Sequence, residues 1–182
     1  PIPGGVMARS DSFFIRATAI LPDNGVFTPV TIDLGSFVDA LGKTVLRIHN
    51  TSIQYKYASG GPGDTGQPSL TAPSTSGITQ WQLTTQNQTG ILPASDRSLI
   101  ASGNLNATNN SATPGFYTFA TQDLDVAPQV WTNGYLVAVE SLQFGGTNSA
   151  EFSHSCFVSI VLECTVETMT SAAAMALALS QQ

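Results

Sequence analysis

Two histidines, two cysteines and twelve carboxylates are nearly all that this 182-residue chain offers for chemistry. His49 and His154 are the only imidazole bases, and no Gly-x-Ser-x-Gly elbow is present to present a serine nucleophile. His49 alternates with Val45 and Arg47, which predicts a histidine lining one face of a strand. His154 stands two residues before Cys156, and a lone His-x-Cys pair supplies two ligands where structural zinc needs four. Gly42-Lys43-Thr44 ends like a phosphate-binding loop. Phe37 occupies the place of its first glycine, however, and a strand pattern from Val45 to His49 follows where a helix is required. Asp123 and Asp125 flank Leu124, while Asp23 and Asp64 fall in turns. Calcium loops instead space several oxygen ligands around a glycine and close with a glutamate. Paired glycosidase-type carboxylates meet only in space, and a chain with 12 acids makes few such pairs. These residues predict no enzyme, no cofactor and no metal site.

The cysteines permit a geometric argument. Cys156 and Cys164 lie in one strand run, on the order of 26 Å apart at ~3.3 Å per residue, whereas a disulfide needs Cα atoms within about 7 Å. Both share parity with Val158, Ile160, Leu162 and Val166, so they read as buried free thiols; the alternative is a disulfide from Cys156 or Cys164 to another copy. Four Asn-x-Ser/Thr triplets begin at Asn50, Asn87, Asn106 and Asn109, and the last two fall in an expected loop. Trp81, Trp131, Phe116, Tyr117 and Phe119 could form a sugar-stacking platform, but aromatics at strand spacing more often belong to a core.

Charge is scarce. Charged residues make up 10% of the chain, against about 25% in a typical soluble domain. Lys43 and Lys56 are the only lysines, and Arg9, Arg16, Arg47 and Arg97 are scattered. With a net charge of -6 and no basic run, a nucleic-acid role is disfavoured. Polarity comes instead from Ser, Thr, Asn and Gln, which cost less to desolvate than ions and suit a surface covered by neighbours. Pro1 to Arg16 lacks the charged and apolar regions of a secretory leader. The longest apolar stretch, Ala172 to Leu179, is far short of the ~20 residues of a membrane span.

Eight runs carry strand alternation: Ser12–Leu21, Val26–Leu34, Thr44–Tyr57, Ile78–Thr85, Arg97–Ser102, Phe116–Thr121, Tyr135–Phe144 and Cys156–Val166. Asn24-Gly25 predicts a type I′ hairpin turn between the first two, and Asn133-Gly134 marks a second turn between Val130-Trp131 and Tyr135-Leu136. Ser59–Gly77, containing Gly60-Gly61-Pro62-Gly63, and Gly103–Gly115 read as long loops of the contact-forming kind. Ser36–Leu41 reads as a helical turn capped by Ser36 and stopped at Gly42, and Thr170–Ser180 as a helix capped by Thr170 or Ser171. The expected fold is all-β: an eight-stranded jelly-roll sandwich with long loops and a short C-terminal helix, ahead of an immunoglobulin-like sandwich. Residues 1–11 form an N-terminal arm, 12–166 one domain and 167–182 a helical tail.

This layout, carried by the runs Ser12–Leu21, Thr44–Tyr57, Tyr135–Phe144 and Cys156–Val166, resembles the single jelly-roll major capsid proteins of icosahedral viruses. Within that group it is most similar to the smaller capsid subunit of sphaerolipovirus-like viruses of halophilic archaea or thermophilic bacteria, which enclose a membrane. The resemblance implies an upright barrel that assembles with copies of itself and a second related capsid protein into capsomers. It also implies a C-terminal tail touching the internal membrane or a neighbouring subunit, with no nucleic acid and no small-molecule substrate. A secreted carbohydrate-binding or adhesin-type module is the alternative.

Overall fold

Alternation in the sequence becomes alternation in burial. Along Ser155–Thr168, Cys156, Val158, Ile160, Leu162 and Cys164 are buried, and the residues between them are half-exposed. The first run behaves likewise: Ala19 and Leu21 are buried on the parity that also carries Phe13, Ile15 and Ala17, while Phe14 and Ile20 face outward. The computed structural model describes residues 9–39, 41, 43–58, 66–124 and 131–182. Within them the elements are β1 (Phe13–Leu21), β2 (Thr28–Asp33), β3 (Thr44–Ala58), β4 (Thr75–Thr84) and β5 (Leu99–Asn109). Then follow β6 (Phe119–Leu124), β7 (Tyr135–Val137), β8 (Ser141–Asn148), β9 (Ser155–Thr168) and α1 (Ser171–Ser180).

Two antiparallel sheets face each other, one ordered β1-β9-β3-β7 and the other β2-β8-β4-β5-β6. The pairs are nested: β1 with β9, β2 with β8, β3 with β7, and β4 with β5 innermost. Successive pairs fall in opposite sheets, as when one long hairpin is wound around a barrel. That is a jelly roll. The expected run Phe116–Thr121 is β6, shifted to Phe119–Leu124, and it extends the second sheet by pairing with β5; the count rises to nine because the run Tyr135–Phe144 forms two strands.

Three expectations are corrected by this winding. Asn24-Gly25 closes no hairpin, because β1 and β2 belong to different sheets. Gly25 takes φ +73, but Asn24 does not enter the left-handed region that a type I′ turn demands of both residues. Its Oδ1 instead accepts from the Val26 N–H, and the Gly25 N–H reaches across to the Asn148 carbonyl. The run Tyr135–Phe144 breaks into β7 and β8, one in each sheet. The expected loop from Gly103 is strand as far as Asn109. Asparagine and glycine disfavour strands, but β5 lies between β4 and β6 and turns Leu105 and Ala107 into the core, and that tertiary context prevails. The segment near Ser36 is a turn, with the Val38 N–H bonded to the Leu34 carbonyl, and its cap is the Asp33 side chain on the Gly35 N–H. Val130, Gly42 and Gly60-Gly61-Pro62-Gly63 lie outside the described residues.

The core sits between the sheets, around Trp81 against Phe144 and Tyr57 against Phe152. One polar chain crosses it. The Tyr57 hydroxyl lies 2.6 Å from Thr79 Oγ1, which donates to Asn148 Oδ1 at 2.7 Å, so β3 is tied to β4 and β8. Burial holds the Tyr57 phenol far above its ordinary value, so it stays a neutral member of that chain.

The sheet edges are managed individually. Pro29 removes a donor from edge strand β2. The free side of β7 is filled by a side chain: Gln181 accepts from the Ala138 N–H at 2.9 Å and donates to the Leu136 carbonyl at 2.6 Å. Thr170 caps α1 through the Ala173 N–H, and Ala174 packs on Val45 and Ala138, so the tail docks on its own chain. The backbone passes close at Gly146 in β8, where a Cβ would fall 1.9 Å from the Gln80 carbonyl. Gly146→Ala is expected to cost about 2–3 kcal/mol and lower Tm by roughly 4–12 °C, read by calorimetry.

Candidate functional site

The longest ladder in the molecule carries its one described bulge beside the densest cluster of ionisable side chains. β3 and β9 pair from Thr44↔Thr168 to Ala58↔Ser155, and the register shifts between Ile48 and Asn50, leaving His49 without a partner. Before the bulge the even residues Leu46 and Ile48 point into the core. After it the odd residues Ile53, Tyr55 and Tyr57 do so. The extra residue therefore leaves Arg47 and His49 together on the outer face, and bulges of this kind re-aim side chains.

Opposite them on β9 stand Thr165 and Glu167, and Arg9 crosses over from the N-terminal segment, bridged to Glu167 through the backbone. Arg47 grips Glu167 two-handed, Nε to Oε1 at 2.6 Å and Nη2 to Oε2 at 2.9 Å, and its Nη1 donates to the Asn133 carbonyl. Arg9 Nε lies 3.3 Å from Glu167 Oε1. Only 4% of the Glu167 side chain is exposed, so its charge depends on these partners. The Arg47 hydrogen bond holds its carboxyl below the usual carboxylate range, outweighing burial. A depressed acid of this kind stabilises the fold above its ordinary value of 4.5, and that contribution is lost as pH falls through the lowered one.

These groups border an open cleft of about 810 Å³, closed on the other side by Trp131, Thr132 and Asn133. Trp131 packs on Tyr135 at 5.7 Å, and its indole N–H is buried without a hydrogen-bond partner among the described residues. The arrangement is an ion-pair cluster: two guanidinium groups, one carboxylate and one imidazole that clamp the N-terminal segment, β3 and β9 together.

The other sequence candidates are dispersed. His154 borders a shallow cleft with Gln67 and Tyr117, and its carbonyl accepts from Asn148 Nδ2, while Cys156 is buried beside Tyr57. Among the described residues no three His, Cys, Asp or Glu side chains gather as metal ligands would. Lys43 sits at φ +71 in the tight turn that enters β3, with its carbonyl bonded to the Met169 N–H. Asp123 lies in β6 opposite Asn104, and Asp64 and Asp125 fall outside the described residues. Of the aromatics, Trp81 is core, Tyr117 packs against the core, and Phe116 and Phe119 are exposed.

The Asn-x-Ser/Thr triplets are redistributed. Asn109 is fully buried and donates to the Ala72 and Thr113 carbonyls, and Asn106 is half-buried against Asn104. Both were expected in an exposed loop, and the extension of β5 removes them from it. Asn50 and Asn87 are the exposed ones, the latter on the connection between β4 and β5. Cys156 and Cys164 have no exposed surface, and burial pushes each thiol up to about 12. A bond from either to another chain requires the sandwich to open.

Comparison with protein-family models finds no match, and comparison with curated protein sequences finds none either. Among solved structures the chain is similar to one of Desmodium yellow mottle tymovirus, with 11% identity and a TM-score of 0.38 over 92% of this chain and 91% of that one. It is also similar to VP1 of Trichodysplasia spinulosa-associated polyomavirus, solved in complex with sialylated glycooligomers. That pair shares 8% identity and a TM-score of 0.44 over 87% of this chain and 95% of that one. The jelly roll itself rests on the strand order.

Two outcomes follow from this geometry. Arg47→Ala leaves Glu167 buried with only the more exposed Arg9 beside it, and is expected to cost about 2–4 kcal/mol in chemical denaturation at neutral pH. Ellman's reagent is expected to modify Cys156 and Cys164 no faster than the protein unfolds; rapid labelling of the native protein would contradict their interior placement.

Proposed function

We propose that this chain is a structural subunit of an icosahedral virus coat, located in the virion and without catalytic activity. The observation that carries the reading is the nested jelly-roll strand order combined with a chain in which 10% of the residues are charged. Phe14 and Ile20 on edge strand β1, Phe119 on edge strand β6, and Met175 and Leu179 on α1 all face outward. Large apolar side chains at sheet edges invite association; Arg16 over the Phe14 ring and Glu163 opposite it put charge beside β1, whereas α1 carries none.

The finer placement follows the resemblance: the smaller subunit of sphaerolipovirus-like particles, joined to copies of itself and to a second related capsid protein in capsomers. We assign the outer face of α1 to a neighbouring subunit and not to an internal membrane. Ten residues of helix span about 15 Å, and the segment carries no basic group to meet anionic lipid. The thiols of Cys156 and Cys164 have no part in joining subunits in this reading.

Electron microscopy and sedimentation of the native source material test it. The chain is expected to sediment with closed particles at many copies each. Recovery solely as a free, small species from material devoid of particles would overturn the reading.

A further inference from the structure

We infer that the bulged His49 is a pH-sensitive latch that holds the Arg9–Asp11 segment on the β3–β9 ladder while neutral and releases it when protonated. Arg9 Nη2 lies 2.7 Å from His49 Nε2. A guanidinium has donors only, so the ring nitrogen must supply its lone pair, and the imidazole in this arrangement is neutral. Thr165 Oγ1 lies 2.8 Å from the same nitrogen. When a solvent proton binds Nε2, the new N–H donates to Thr165 and meets an Arg9 N–H head-on. Two like charges then share a contact built for one donor and one acceptor.

Arg9 is where such a change would be felt. Among the described residues the Arg9–Asp11 segment is tied down by the Ser10 N–H to the Val166 carbonyl at 3.0 Å, the Val166 N–H to Ser10 Oγ at 2.8 Å, and Arg9 itself to Glu167 and Thr165. Half of the Arg9 side chain is exposed, so water stands ready to receive it. Arg47, by contrast, is committed to Glu167 through two bonds and remains so.

The charged groups facing His49 among the described residues are Arg9 from the N-terminal segment, Arg47 from β3, and Glu163 and Glu167 from β9. The turn at 131–134 presents no ionisable side chain to it. Burial first, and then Arg9 and Arg47, hold the imidazole below its ordinary 6.5, with the two glutamates opposing. The neutral form is thus the one the fold favours. Its contribution is complete above 6.5 and is lost as pH falls through the lowered value. Glu167 keeps its charge until the pH is below 4.5, so wherever the latch opens above that pH the Arg47–Glu167 pair still holds the sheet.

Amide hydrogen exchange on the full chain tests this, with rates corrected for intrinsic pH dependence. From about pH 7.5 to about pH 5 the protection of the Ser10 amide is expected to fall at least about fivefold, while that of Ile53 in mid-ladder holds. His49→Gln keeps an acceptor for Arg9 and cannot be protonated, and should abolish the change; His154→Gln should leave it intact. Should His49→Gln fail to fold, imidazole proton NMR of the unaltered chain serves instead, where the His49 midpoint must coincide with the loss of Ser10 protection. A pH-independent Ser10 amide, an unchanged loss in His49→Gln, or a midpoint that tracks His154 would each overturn the latch.

Discussion

The structure depends on the antiparallel ladder between β3 and β9. It joins two strands far apart in sequence, from Thr44↔Thr168 to Ala58↔Ser155, and occupies the middle of its sheet, so β1 and β7 are placed by pairing with it. Its register decides which side chains of the longest strands enter the core. A shift of β3 by one residue against β9 would turn Ile53, Tyr55 and Tyr57 outward and break the hydroxyl chain through Thr79 to the opposite sheet. The single inserted residue at His49 is the controlled version of that shift. It lets one strand change parity midway, so the first half can present Arg47 and His49 outward while both halves still bury their apolar residues.

Much of this was legible in the sequence, because the period-two pattern reports which face is buried. β1, β2, β3, β4 and β9 lie where alternation placed them, and Thr170 caps α1 as its side chain predicts. What escaped was set by partners distant in sequence. Nothing local in Gly103–Asn109 announces a strand, because it becomes one through neighbours on both sides. Nothing local in Tyr135–Phe144 announces that the chain leaves one sheet for the other. The ion-pair cluster was invisible for the same reason: Arg9, Arg47 and Glu167 meet through register, and the bulge that brings His49 beside them has no glycine or proline to mark it. The histidine was read as lining a strand face, which it does, but the charges it meets there carry no sequence signature.

Low charge and fold form one design. Ionic groups are few: Arg9, Arg47 and Glu167 join segments of the chain, and others, such as Arg16, Asp33, Lys56 and Glu140, lie exposed on the exterior. Most polar work is done by neutral groups at fixed positions: Gln181 completing the edge of β7, Gln82 bonding the Gly90 carbonyl and the Leu92 N–H to hold the connection between β4 and β5, Asn148 joining turn to core. Such groups hydrogen-bond without the desolvation cost of ions, so a surface built from them can be covered by another molecule at modest expense. Exposed Phe14, Ile20, Met175 and Leu179 add apolar area to that surface.

Whether uncharged faces of this chain meet other copies is read from the salt dependence of self-association. Sedimentation velocity from about 0.1 M to about 1 M salt shortens the screening length from about 10 Å to about 3 Å. Contacts between neutral and apolar faces should hold or strengthen across that range. A chain that stays monomeric throughout, or whose association weakens steadily as salt rises, would contradict such contacts.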